Sequence, residues 1–242
     1  MKKIIILTLV ALLNTVCSAQ SWQSYIKNFP RKQSTIVRDY KGNVLKTHSL
    51  GVLNARINPV QQCADAAIRL RAEYFYSRKE YDKISFKLTN GIEVPFTKWA
   101  KGYRLSVNSK TLGVSFIQKH GEKGYDRTNF ENYLYNVMLY AGSASLYRDL
   151  KSTNRLPDIG DLLIIPGYPG HVVIIIDRKT IKGVNYYLFA NSWIPAQDIE
   201  IVSGHNSKKQ NIGNYTPIMS INDNIHINGY TFNIKKHLKT WD

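Results

Sequence analysis

Val60, Cys63, Ala67, Leu70 and Tyr74 recur at helical spacing and predict an amphipathic helix early in the chain. Asn58-Pro59 offers an N-cap followed by proline at the first helical position, which would open the helix there. A start at Gln61 or Gln62, with Asn58-Pro59 as a preceding turn, is the alternative. In KISFKLTNGIEVPF the apolar period changes to two, with Ile84, Phe86 and Leu88 on one side and Ile92, Val94 and Phe96 on the other. A two-residue Asn90-Gly91 turn would set Leu88 against Glu93. A three-residue loop, Thr89-Asn90-Gly91 with a left-handed glycine, pairs Leu88 with Ile92 and keeps both apolar sets together, so it is the expected register.

A further strand pair is expected at residues 103–107 and 112–118. Thr128 and Glu131 form a capping-box pattern before a helix that turns Phe130, Leu134, Val137, Met138 and Ala141 inward. The small-residue run AGSAS at 141–145 allows another backbone to approach closely. Strands are expected at 161–165, 172–177 and 186–190. The order is helix, hairpin, helix, antiparallel sheet, which is the segregated pattern of an α+β fold. Residues 20–57 read as an N-terminal extended segment, 58–203 as the main α+β domain, and 204–242, rich in Asn and Lys, as an irregular C-terminal wrap.

Residues 1–19 have the layout of a secretory signal. Lys2 and Lys3 precede an apolar run from Ile4 to Leu13, and small residues end it at Cys17, Ser18 and Ala19, with cleavage expected after Ala19. The apolar run is shorter than the about 20 residues a membrane span needs. The later stretch LLIIPGYPGHVVIII is interrupted by Pro166, Gly167, Pro169, Gly170 and His171, so no transmembrane segment is expected in the mature chain. Lipid attachment at Cys17 is disfavoured because Asn14-Thr15-Val16 lacks the small residue such sites carry. The expected location is therefore the periplasm or the extracellular space.

The chain carries a formal charge of +16, and two of those charges belong to the leader, leaving +14. A pI near 9.7 suits an anionic surrounding. The basic residues are dispersed with no run of five or six like charges, so a solvated basic surface is the simpler reading, and no nucleic-acid partner is expected.

Cysteine count changes the picture more. Cleavage would leave Cys63 alone, unable to form an internal disulfide and incompatible with a Cys-rich zinc site. It is either a reactive thiol or a small buried hydrophobe. A cysteine nucleophile needs a base, and the base needs an orienting group. In chain order the sequence offers Cys63 on the early helix, His171 at the head of the strand HVVIIID, and Asn191 closing the next strand in ANSW. A thiolate gains from a helix N-terminus only within the first turn, so the helix start decides whether Cys63 is activated or sits one turn deeper. Trp193 could cover a polar pair or fill core. Gln197-Asp198 could line a cleft or a partner surface, or form a polar turn between strands. There is no GxSxG, HExxH or P-loop, and His205, His226 and His237 show no ligand spacing among themselves, so neither a metal nor a cofactor is expected.

GDLLIIPGYPGHVVIII resembles the Gly-Asp…Gly-His-Val strands of NlpC/p60 and related papain-like cysteine hydrolases. The resemblance implies that His171 is the base, that Gly160-Asp161 shapes the turn into its strand, and that Cys63 in QCADAAIRL is the nucleophile. Gln62 and Ala64-Asp65 depart from the Asp-Cys-Ser-Gly run of those enzymes. More closely, the chain is identified as a member of an uncharacterised bacterial exported family, domain-of-unknown-function family 4846. It carries NPVQQCADAAIRLRAEYFYS, TNG followed by a tryptophan, the YAG and Ser-Leu helix end, PGHVVIIID and PAQDI. The first resemblance implies a papain-like fold and an amidase or peptidase, with peptidoglycan or another anionic envelope polymer as partner. The rival expectation is an inactive envelope protein that keeps the fold and binds wall polymer or a protein.

Overall fold

The computed structural model describes residues 20–241. The expected leader, its cleavage position and Cys17 lie outside the described residues. Among the described residues no helix is long and apolar enough to cross a membrane.

The architecture is α+β, with helices packed on a largely antiparallel sheet. The early helix runs Cys63–Ser77. It therefore takes the later of the two starts, with Gln62 as its extended N-cap. The reason is local. The Gln62 amide donates to the Asp65 carboxylate at 2.9 Å, closing the helix end. Asn58 instead folds its own turn, its side chain accepting from the Val60 amide at 3.0 Å and its carbonyl accepting from Gln61. Ala64, Ala66 and Ala67 are buried and let the helix lie close on the sheet.

The hairpin has the three-residue loop: Phe86 pairs with Val94, the Leu88 amide donates to the Ile92 carbonyl, and Gly91 is left-handed. Tyr103–Val107 pairs with Val114–Gln118 as expected. The next helix runs Arg127–Met138, and its cap is Asp126 rather than Thr128. The Asp126 carboxylate accepts from the Asn129 amide, while Glu131 is drawn into ion pairs with Arg69 and Arg127 and is not available for a capping box. The AGSAS run leads into a short helix, Ser143–Asp149. The close approach it allows is to the PGYPG turn: a Cβ on Gly170 would lie 2.1 Å from the Ser143 hydroxyl.

The main sheet holds eight strands among the described residues. At its centre His171–Ile181 pairs antiparallel with Val184–Asn191, joined at Ile181↔Val184 through left-handed Lys182-Gly183. Leu162–Ile165 flanks the first of these and Glu200–Val202 the second. Alternation divides the apolar residues between two cores. Val172, Ile174 and Ile176 face the Cys63 helix, whereas Val173, Ile175, Tyr187 and Phe189 face Ile225, Ile227 and Phe232 from the tail. That second core corrects the expectation for residues 204–242. The tail forms a three-stranded sheet of His205–Asn206, Asn224–Ile227 and Tyr230–Asn233. It then sends Leu238–Thr240 into the main sheet beside Leu162–Ile165. Its apolar pieces are too short to read singly, and only their joint burial orders them.

Residues 22–27 also differ from the extended expectation. Ser21 caps a helix, Trp22–Lys27, and the Trp22 indole donates to the Gly160 carbonyl at 3.1 Å. Gly160 has φ +88°, and a Cβ there would sit 2.2 Å from the indole nitrogen. Gly160→Ala should therefore cost at least about 2 kcal/mol, combining backbone strain with overpacking. A urea melt in which the variant matched wild type would show that the Trp22 helix moves aside freely.

Candidate functional site

Cys63 is the first residue of its helix, half-buried, where the unpaired amides carry partial positive charge. Burial nevertheless pushes its thiol up. The Val172 amide works against this with a hydrogen bond, and the Asp65 carboxylate adds to it. Asp65 is itself pushed up to about 7 by burial, so around neutral pH its own charge is only partly present. The resting sulfur is a thiol, not a thiolate.

His171 heads its strand and is buried. Its Nε2 lies 3.0 Å from the Asn191 side-chain amide, since Asn191 occupies the neighbouring strand on the same face. The amide nitrogen donates to Nε2 in this orientation. Turned over, the amide oxygen would accept from Nε2–H and leave Nδ1 with the lone pair. Trp193 stacks on the imidazole with centroids 4.6 Å apart, and Tyr230 does so at 4.3 Å. Trp193 is held in turn by its indole N–H, which donates to Glu200 at 2.9 Å. This apolar cover lowers the imidazole pKa to about 4 through burial, so the ring is neutral at pH 7.

The structure thus brings His171 and Asn191 into direct contact, with Trp193 stacked on the imidazole. Cys63 reaches them from the other side. It packs with the helix-side core, whereas strand alternation turns His171 and Asn191 toward the tail-side core. The meeting point is the peptide joining His171 to Val172, whose amide bonds the sulfur. Among the described residues no hydrogen bond joins the sulfur directly to the imidazole.

The remaining candidates are architectural. The Asp161 carboxylate takes Arg155 through two contacts (2.6 and 3.0 Å) and the Asp158 amide, fixing the turn into its strand. Asp198 is buried against Lys32 at 2.7 Å and the Arg38 amide. Gln197 lines a cleft of about 380 Å³ beside Trp193 and Glu200. Sequence reasoning missed Tyr230 entirely, because nothing in the tail signals that its ring will lie on an imidazole some sixty residues earlier. Glu200 was equally silent, although its pairing with Asn191 across adjacent strands follows once the register is known.

The family model described as Domain of unknown function (4846) matches residues 13–239. The chain belongs to that family. The match spans the Cys63 helix, both central strands and the tail that covers His171, so the whole assembly described above falls within the family's domain. No curated protein and no solved structure matches the chain.

Proposed function

We propose that this member of the family is an exported cysteine hydrolase acting on amide bonds, with peptidoglycan peptides as the substrate class. The observation that carries the reading is the His171–Asn191 contact with Trp193 stacked on the imidazole, connected through the Val172 amide to a cysteine in the first turn of a helix. Cys63 would attack the carbonyl carbon while the neutral His171, its ring turned from the tail side toward the sulfur, takes the thiol proton. The imidazolium would return that proton to the leaving amine, and water would then release the acyl group from sulfur. Asn191, with its amide turned over so that its oxygen accepts from Nε2–H, would hold the ring and leave the Nδ1 lone pair to take the thiol proton. Because the thiol is raised and the imidazole lowered, proton transfer must accompany attack rather than precede it. The dispersed positive charge suits an anionic wall polymer.

Purified sacculi, and separately a panel of peptide and acyl substrates, should be turned over by wild type. Cys63→Ala should be slower by at least about 1,000-fold, the scale on which removing a nucleophile acts. Equal turnover by both proteins would end the mechanism.

A specific observation favours a second reading, an envelope protein that binds without catalysis. The imidazole is covered on the tail side and the sulfur packs on the helix side. In that case Cys63 resists iodoacetamide in the folded protein, and its replacement lowers stability only.

A further inference from the structure

The geometry points to a second site, independent of Cys63, at which His205 and His226 bind a borderline transition-metal cation such as Zn²⁺ or Cu²⁺. The two histidines are far apart in the chain, but the register of the tail sheet pairs them directly across adjacent strands. Their rings stack with centroids 5.0 Å apart and planes 26° from parallel. The Nδ1 atom of each ring is already engaged. His205 Nδ1 lies 3.0 Å from the Asn206 backbone carbonyl, which can only accept, so that nitrogen carries the proton and Nε2 carries the lone pair. His226 Nδ1 lies 2.9 Å from the Thr231 hydroxyl. An imidazole whose far nitrogen is held by a carbonyl or hydroxyl is the arrangement seen in metal-binding histidines, because the outer partner fixes tautomer and ring direction.

Both histidines line one open cavity of about 480 Å³ with Ser203, Asn211 and Asn228. His205 Nε2 has its lone pair free, and His226 Nε2 has it free when Nδ1–H donates to the Thr231 hydroxyl; an ion shared by the two would sit about 2.0–2.1 Å from each. Among the described residues no group of three or more His, Cys, Asp or Glu is placed to hold a metal, so the shell must be completed by oxygen. Asn211 donates its amide nitrogen to the Ser203 hydroxyl at 3.2 Å, which leaves its carbonyl oxygen available, and water can fill the rest. Two imidazoles with neutral oxygen donors select Zn²⁺, Cu²⁺ or Ni²⁺ over Mg²⁺ and Ca²⁺.

Tag-free protein carrying Cys63→Ser, which removes the thiol as a competing ligand, is titrated calorimetrically with Zn²⁺ and separately with Cu²⁺. One equivalent should bind saturably, and Mg²⁺ should not. His205→Gln and His226→Gln, added singly to that background, should each weaken binding at least about tenfold. Thr231→Val should weaken it by a smaller factor, since it removes only the outer partner of His226. No saturable binding, or unchanged affinity in both Gln variants, overturns the assignment. Should a Gln variant fail to fold, Zn²⁺ protection against diethyl pyrocarbonate in the Cys63→Ser protein reads the same contact: shielding of both histidines supports the site, and shielding of neither overturns it.

Discussion

Arg69→Ala should lose about 3–5 kcal/mol of unfolding free energy, with Arg69→Met losing distinctly less. Arg69 is fully buried on the Cys63 helix, where its guanidinium meets Glu73 at 3.2 Å and Glu131 at 2.8 Å, and Arg127 bridges the same two carboxylates from the neighbouring helix. Truncation to alanine removes a long packed stem and strands part of the carboxylate charge, which is the costly way to break a buried ion network. Methionine keeps the volume and deletes the charge, so the difference between the variants separates packing from electrostatics. Arg69 Nε also donates to the Gln61 side chain at 3.2 Å, tying the network to the segment that enters the helix at Cys63. Urea unfolding of both variants measures this. Equal and small losses would show that Arg127 alone satisfies Glu73 and Glu131.

That tie also explains why the helix start was ambiguous in the sequence. Asn58-Pro59 is a sound opening signal by local rules. The later start wins because Asp65 closes the Gln62 amide while Gln61 is held by Arg69, and the second of these is a contact between side chains eight residues apart. The hairpin loop at Thr89-Asn90-Gly91 was legible because a register slip would have put Glu93 among apolar neighbours, a penalty visible in the pattern itself. The central strands were legible from their apolar runs between Gly- and Pro-containing turns, although read short: Arg178 to Ile181 continue the His171 strand beyond its apolar run, held by the ladder and by polar contacts such as the Thr180 hydroxyl donating to the Asn185 side chain at 2.7 Å. His205 and His226 were not legible. Ligand spacing is a local signal, and these two are joined by strand pairing between segments whose order depends on burying Ile225, Ile227 and Phe232. Tyr230 on His171 belongs to the same class, being a product of the second core rather than of any motif.

The tail's cover over His171 has its own measurable consequence in stability against pH. The ring's ordinary value of 6.5 falls to about 4 on folding because the buried site disfavours the imidazolium. The unfolded chain therefore binds the proton first as pH drops. Its contribution is fully present above 6.5, declines as pH falls below that value, and is exhausted at about 4. Between pH 7 and 4.5 this amounts to about 2.5 kcal/mol. Asp65 acts in the opposite sense. Burial raises it from 3.8 to about 7, so its folded form holds a proton that the unfolded form has lost, and stability rises as pH falls through the same window. The two effects oppose each other, and the wild-type stability curve alone would understate both. The informative quantity is wild type minus His171→Gln, in which the Asp65 contribution cancels. That difference should shift against wild type by about 2.5 kcal/mol between pH 7 and 4.5 in urea titrations. A flat difference would mean that the imidazole takes up its proton in the folded state near 6.5, with Trp193 and Tyr230 giving way. The same depression bears on catalysis. If His171 is the base, the acid limb of kcat/KM in the free enzyme should fall near pH 4 rather than 6.5, because the neutral ring persists to that pH. Trp193→Ala, by wetting the ring, should move that limb upward toward 6.5, a displacement that simple loss of folded protein would not produce.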